Sequence, residues 1–286
     1  LLQRWVEDVE QLQAINTNLR GNYALRNSID ATSTEQKDFI SIGSDNSKAF
    51  TGNFDGIDYN IFGLTIKNGG ENTGLFGYTN NATISNVTLV GGSITGSNNV
   101  GAVVGNANNT ILNNVVNSAA VSGNSNVGGI VGTADGTTVE NAINTGTIEG
   151  NSTDETNVGG LIGEMKDSDT ADNYKSQIIG NSYNLGDVSG DGYNVGGLVG
   201  HAVNSTIGDG TNLVYNRLDV TGAYNVGGIV GNMVGSIVQN AENSGTVLAT
   251  GHTNGEYTYH TDETKENNLP NDAELSNGIA SVDVNV

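Results

Sequence analysis

The chain has 286 residues, of which 42 are glycine, one is proline and none is cysteine; 35% are hydrophobic and 14% charged. Without cysteine there is no disulfide framework and no thiolate metal centre, so stability has to come from packing and backbone hydrogen bonds. Thirty-one acidic residues against 10 basic ones give a formal charge of -21, which excludes the basic footprint of a nucleic-acid binder and disfavours anionic membranes as partners.

Taken in chain order, residues 1 to 19 place Trp5, Val6, Val9, Leu12 and Ile15 at helical spacing with Glu7, Asp8 and Glu10 toward the N-terminal side, which predicts a short amphipathic capping helix. Residues 20 to 70 read as first coils, through Tyr23-Ala-Leu25, Phe39-Ile-Ser-Ile-Gly43, Phe50-Thr-Gly-Asn-Phe-Asp-Gly56 and Ile61-Phe-Gly-Leu-Thr-Ile66.

From 71 to 251 one phrase recurs: Asn72-Thr-Gly-Leu-Phe-Gly77, Asn99-Val-Gly-Ala-Val-Val-Gly105, Asn126-Val-Gly-Gly-Ile-Val-Gly132, Asn157-Val-Gly-Gly-Leu-Ile-Gly163, Asn194-Val-Gly-Gly-Leu-Val-Gly200 and Asn225-Val-Gly-Gly-Ile-Val-Gly231. Its closing glycines lie 28, 27, 31, 37 and 31 residues apart, the period of one solenoid coil. A second phrase, Thr138-Val-Glu-Asn-Ala-Ile-Asn-Thr-Gly-Thr-Ile-Glu-Gly150, supplies two further short strands. Three strands and three turns per coil predict an all-β fold, a right-handed single-stranded parallel β-helix. About eight coils at β spacing make a rod about 40 Å long.

Stacked coils turn repeated positions into columns. Val100, Val127, Val158, Val195 and Val226 form one inward column; Val104, Val131, Ile162, Val199 and Val230 form a second. Asn72, Asn99, Asn126, Asn157, Asn194 and Asn225 are expected to form an amide ladder in left-handed turn geometry, and Asn117, Asn144, Asn184, Asn216 and Asn243 another. Strict alternation would turn Val103, Ile130, Leu161, Leu198 and Ile229 outward. A bend at the Gly-Gly pair would turn them in, and that is the expectation here.

The repeat departs from itself at Glu164-Met-Lys-Asp-Ser-Asp-Thr-Ala-Asp-Asn-Tyr174, where Asp167, Asp169 and Asp172 offer oxygen ligands for calcium, weighed against a solvated acidic loop. Tyr193 and Tyr224 each precede a ladder asparagine, and Tyr183 and Tyr215 share a position in the second phrase. Tyr174, Tyr193 and Tyr224 are the candidate glycan-contacting residues, weighed against tyrosines that only stiffen turns. After Gly251 the phrase does not return, so 252 to 286 reads as a C-terminal cap or linker. No run approaches the roughly eighteen apolar residues of a membrane span, and the sequence reads as a monomeric piece of a larger protein.

The Gly-Gly-Leu-Val-Gly strings resemble the GLUG repeat of bacterial secreted and surface-anchored proteins, among them large adhesins and the N-terminal regions of IgA-cleaving peptidases. The segment Gln11 to Leu25, with Ile29-Asp30, Ile42-Gly43 and Phe50 to Gly56, is similar to the lead-in of filamentous-haemagglutinin-like adhesins exported by two-partner secretion. The resemblance covers about residues 10 to 250. It implies a β-helix, export to the medium or cell surface, and attachment to host or matrix glycans, glycoproteins or biofilm polysaccharide; it implies no catalytic residue.

Parallel β-helices also carry polysaccharide lyases and glycosidases, so an enzyme is the alternative, as is a non-catalytic region of a cell-surface peptidase. Glycoside hydrolysis needs two carboxylates facing one bond. Asp55 and Asp58 are closely spaced, yet Asp55 sits in the lead-in string and reads as a turn residue. No Lys or Arg occurs between Lys67 and Lys166 to neutralise a uronate, and His201, His252 and His260 stand outside any Ser or Asp constellation. The expectation is a binding or scaffold module that is not an enzyme and needs no cofactor.

Overall fold

The computed structural model describes residues 2–169, 176–251, 258–260 and 281–283. The chain winds into a parallel β-solenoid of about eight turns with one short α-helix near its N-terminus. Among the described residues no helix is long and apolar enough to cross a membrane.

The coil that begins at Ser125 shows the plan. A leading strand, Ser125–Gly128, is followed by a second strand, Val131–Asp135, a long strand, Thr138–Asn144, and a closing strand, Ile148–Gly150. Each joins its own sheet, in which it pairs in parallel with the strands of the neighbouring coils. Three strands per coil are expected from the sequence; four are found. The Gly-Gly pair is the reason. It ends the leading strand, and Ile130 takes the corner, so that Ile130 and Val131 both point inward although adjacent in sequence. Leu161, Leu198 and Ile229 do the same and are wholly buried, and Val103 turns inward as well although its corner carries Gly101-Ala102. A flat strand would have exposed them.

Close approach at this corner explains the first glycine of the pair. A Cβ on Gly159 would overlap the carbonyl oxygen of Ile162 and come within 2.7 Å of the Leu198 carbonyl oxygen in the next coil. Gly128 faces the same obstruction, and at Gly196 a Cβ would meet the Val199 carbonyl oxygen and the Gly231 backbone nitrogen.

The valine columns stack in register, Val100 on Val127, Val158, Val195 and Val226, all buried. Burying each such side chain contributes about 1.5–3 kcal/mol. Toward the N-terminus the core changes character: Phe50 and Phe54 pack on Phe76 with ring centroids 4.8 and 5.4 Å away.

The N-terminal end differs from a simple helix over 1 to 19. Gln3–Val6 is a strand paired in parallel with Asn22–Leu25, and only Val9–Gln13 is α-helical, followed by a 3-10 turn, Ala14–Thr17. Trp5 lies on the strand and is 50% exposed, so it takes no part in the helix's buried face. Leu12 and Ile15 do, and close the bottom of the core. Asp8 caps the helix by accepting from the Gln11 backbone N–H at 2.8 Å.

Candidate functional site

Most of the polar side chains that the sequence repeats are consumed by the rod. Along the leading corner, the Nδ2 of Asn99, Asn126, Asn157, Asn194 and Asn225 each donates to the Oδ1 of the ladder asparagine one coil earlier, at 2.8–3.0 Å. Their φ angles, from 47 to 65°, are left-handed as the turn requires. Asn225 Oδ1, the last acceptor, is buried without a partner among the described residues.

The second ladder runs with opposite polarity. Asn117, Asn144, Asn184 and Asn216 donate to the coil that follows, at 2.8–2.9 Å. Each also donates to the carbonyl two residues on.

Two further columns escape sequence reading. Asn114 Nδ2 donates to Asn86 Oδ1 at 2.9 Å, and Asn86 to Asp55 Oδ1 at 2.9 Å. Thr79, Thr110, Thr137 and Ser176 form a buried hydroxyl column, with Thr79 and Thr110 hydroxyls 2.9 Å apart and the Thr110 and Thr137 backbone N–H groups donating upward. Mixed Thr and Ser at uneven intervals hide the second column; the first lies in the less regular phrase.

Asp55 and Asp58, the closely spaced carboxylates, are both hydrogen-bonded within the rod. Asp55 Oδ1 accepts from the Ile57 backbone at 2.8 Å and from Asn86, and Asp58 Oδ1 from Asn114 Nδ2 at 3.3 Å. His201 stands in the column Thr133, Glu164, His201, Asn232 of the second sheet; His252 lies outside the described residues.

Of the calcium candidates, Asp172 lies outside the described residues. Asp167 is buried and Asp169 exposed, both lining a depression of about 410 Å³ with Asn108, Asn109 and Asp135. Asp135 Oδ1 already accepts the Ser168 backbone N–H at 2.9 Å. No group of three or more His, Cys, Asp or Glu able to hold a metal is found among the described residues.

Tyr174 also lies outside the described residues. Tyr193 and Tyr224 do align, with centroids 4.5 Å apart and planes 17° from parallel. Tyr183 and Tyr215 stack at 4.5 Å and 4°, and the Arg217 guanidinium lies 4.6 Å from the Tyr215 centroid. Burial pushes the Tyr215 phenol pKa up, and Tyr183 adds to the shift. Because the stacking distance matches the coil spacing, the inner ring faces meet one another along the rod. Tyr193 is 39% exposed.

Tyr193 nevertheless borders a concavity. A depression of about 300 Å³ spans three coils and is lined by Asp154, Tyr193, Asn194, Asn225 and Asn232. Asn194 and Asn225 are its floor; Asp154, exposed beside the closing turn of the preceding coil, and Asn232, on the strand Val230–Val234, are its walls. Sequence reading found Tyr193 but neither Asp154 nor Asn232. Their meeting depends on a register shift between Glu155 and Val158 and on the four-sided corner.

Fold and ladders together define the class: a parallel β-solenoid of glycine and asparagine coils. Comparison with known proteins agrees. Residues 6–123 match the family model described as the M26 IgA1-specific metallo-endopeptidase N-terminal region, and residues 123–149 match the GLUG motif. Halomucin of Haloquadratum walsbyi is 35% identical over 113 residues; the match covers 35% of this chain and 1% of halomucin's length. The crystal structure of a candidate immunoglobulin A1 protease from Bacteroides ovatus superposes with a TM-score of 0.67 at 17% identity, covering 92% of this chain and 81% of that one. That likeness establishes a shared fold.

Proposed function

We propose that this chain is a non-catalytic rod of a secreted or cell-surface protein, serving to space and attach, with glycans or glycoproteins of a host or biofilm matrix as its partners. The observation that carries the reading is the fate of the repeated polar side chains. Amides and hydroxyls pair coil to coil, and the closely spaced Asp55 and Asp58 are held by backbone and Asn donors. Side chains spent on one another build length and stiffness and leave chemistry to the points where the repeat changes. The GLUG motif and the partial match to halomucin support a place outside the cell.

A second reading, a non-catalytic region of a surface peptidase, is favoured by the match of residues 6–123 to the N-terminal region of the M26 peptidases. In that setting the same rod would hold a catalytic domain away from the surface.

Attachment is tested by coupling the 286-residue chain to beads and measuring retention under flow on mucin, intact or enzymatically deglycosylated. Retention on intact mucin and its loss after deglycosylation are expected. Retention no better than that of albumin-coated beads would sink the attachment reading.

A further inference from the structure

We infer that the three-coil depression walled by Asp154, Tyr193 and Asn232 is a binding site for a neutral saccharide chain lying along the rod, recognised through its hydroxyls. The inference rests on the attachment reading and gives it a location and a ligand chemistry.

The first observation is that the same corner is self-satisfied in the coil that carries Ser125 and Thr133. There Ser125 Oγ donates to Asn98 Oδ1 at 2.8 Å, and Thr133 Oγ1 to Asn99 Oδ1 at 2.8 Å. Both side chains are small and spent. In the later coils tyrosines, Tyr193 and Tyr224, occupy the paired positions at the start of the leading strand, and Glu164, His201 and Asn232 succeed Thr133. Between that coil and the later ones, the closed pairs of Ser125 and Thr133 give way to longer side chains on both sides of one floor.

The second observation is which groups remain available. The floor amides are committed, Asn225 Nδ2 to Asn194 Oδ1 and Asn194 Nδ2 to Asn157 Oδ1, both at 2.8 Å. On the walls, the Asp154 carboxylate, the Tyr193 hydroxyl and the Asn232 amide make no hydrogen bond within the described residues. A carboxylate, a phenol and an amide converging on one concavity offer acceptors and donors to neighbouring hydroxyls of a sugar ring. Tyr193 is 39% exposed, so part of its side chain is available to the sugar.

Charge narrows the class. No Lys or Arg lines the depression, Asp154 contributes a negative charge, and the whole chain carries -21. Uronates, sulfated sugars and phosphates are repelled. A neutral chain is not, and one whose sugar repeat is close to the coil spacing places successive rings over successive coils.

The test is isothermal titration of the full chain with cellotetraose and mannotetraose, against tetragalacturonate as the acidic probe and spermine as the cationic one. At least one neutral tetrasaccharide is expected to bind and tetragalacturonate is not. Tyr193→Phe, which keeps the stacked ring and deletes the hydroxyl, and Asn232→Ala should each weaken binding about tenfold without moving the thermal midpoint. Tyr215→Phe, the same deletion on the other tyrosine stack, should leave binding unchanged.

Failure of both neutral saccharides, binding of spermine alone, equal binding of tetragalacturonate, or insensitivity to Tyr193→Phe and Asn232→Ala would each overturn the assignment. The bead assay separates the two levels. Beads carrying both substitutions that still adhere to intact mucin would leave attachment standing and remove this site. Wild-type beads that fail to adhere, although the tetrasaccharide binds, would do the reverse.

Discussion

Asn157 and Asn225 occupy equivalent positions yet carry different loads. Asn157 donates to Asn126 and accepts from Asn194, at 2.9 and 2.8 Å, whereas Asn225 donates to Asn194 and its own Oδ1 is buried without a partner among the described residues. Both have positive φ, 47 and 50°, so replacement by glycine deletes the amide without backbone strain and at the same entropic cost in both variants. Asn157→Gly strands a donor above and an acceptor below, and should cost about 3 kcal/mol; Asn225→Gly strands one acceptor and removes another, and should cost about 1 kcal/mol. Chemical denaturation of the two variants measures the difference. Equal losses would mean that the ladder bonds add little beyond turn geometry.

At the scale of elements, the N-terminal helix caps the rod with side chains in place of a strand. Gln13 donates through Nε2 to the Ile40 carbonyl at 2.7 Å and accepts the Ile40 N–H at 2.8 Å. Asn16 likewise reaches the Ser41 carbonyl at 3.3 Å and the Gly43 N–H at 3.0 Å. On its other side the same segment bonds to the next coil, Ile42 N–H donating to the Leu75 carbonyl and Gly77 N–H to the Ile42 carbonyl. Two amide side chains therefore satisfy a sheet edge that would otherwise invite another chain.

Because solenoid stability is largely nearest-neighbour, a Gln13→Ala, Asn16→Ala double variant should speed amide exchange at Ile40 and Gly43 by tenfold or more and leave Val104 to Asn108 unchanged. Uniform acceleration, or none, would show that the cap is not local.

What was legible in the sequence follows from the same physics. Stacking aligns equivalent residues, so columns such as Val100 to Val226 and both main asparagine ladders could be read as vertical repeats. The inward corner at Ile130 was legible because a Gly-Gly pair cannot hold a flat strand there. Gln13 and Asn16 were not, since their partners at 40 to 43 depend on how the helix is set against a coil. Nor were Asp154 and Asn232, 78 positions apart in sequence, which meet only through a shifted register and a corner the three-strand expectation lacked.

For the whole molecule, the proposal divides the labour between rod and site. Repeated coils supply a surface at uniform spacing; under the proposal, contact falls to the later coils, where Tyr193 and Asn232 stand beside the ladder. The central claim is that this contact binds without cutting. Mass spectrometry of whichever neutral tetrasaccharide binds, recovered after prolonged incubation with saturating protein, tests it most directly. The account predicts intact tetrasaccharide and nothing shorter. Shortened or unsaturated products that depend on Asp154, Glu164 or His201 would contradict it and make the depression an active site.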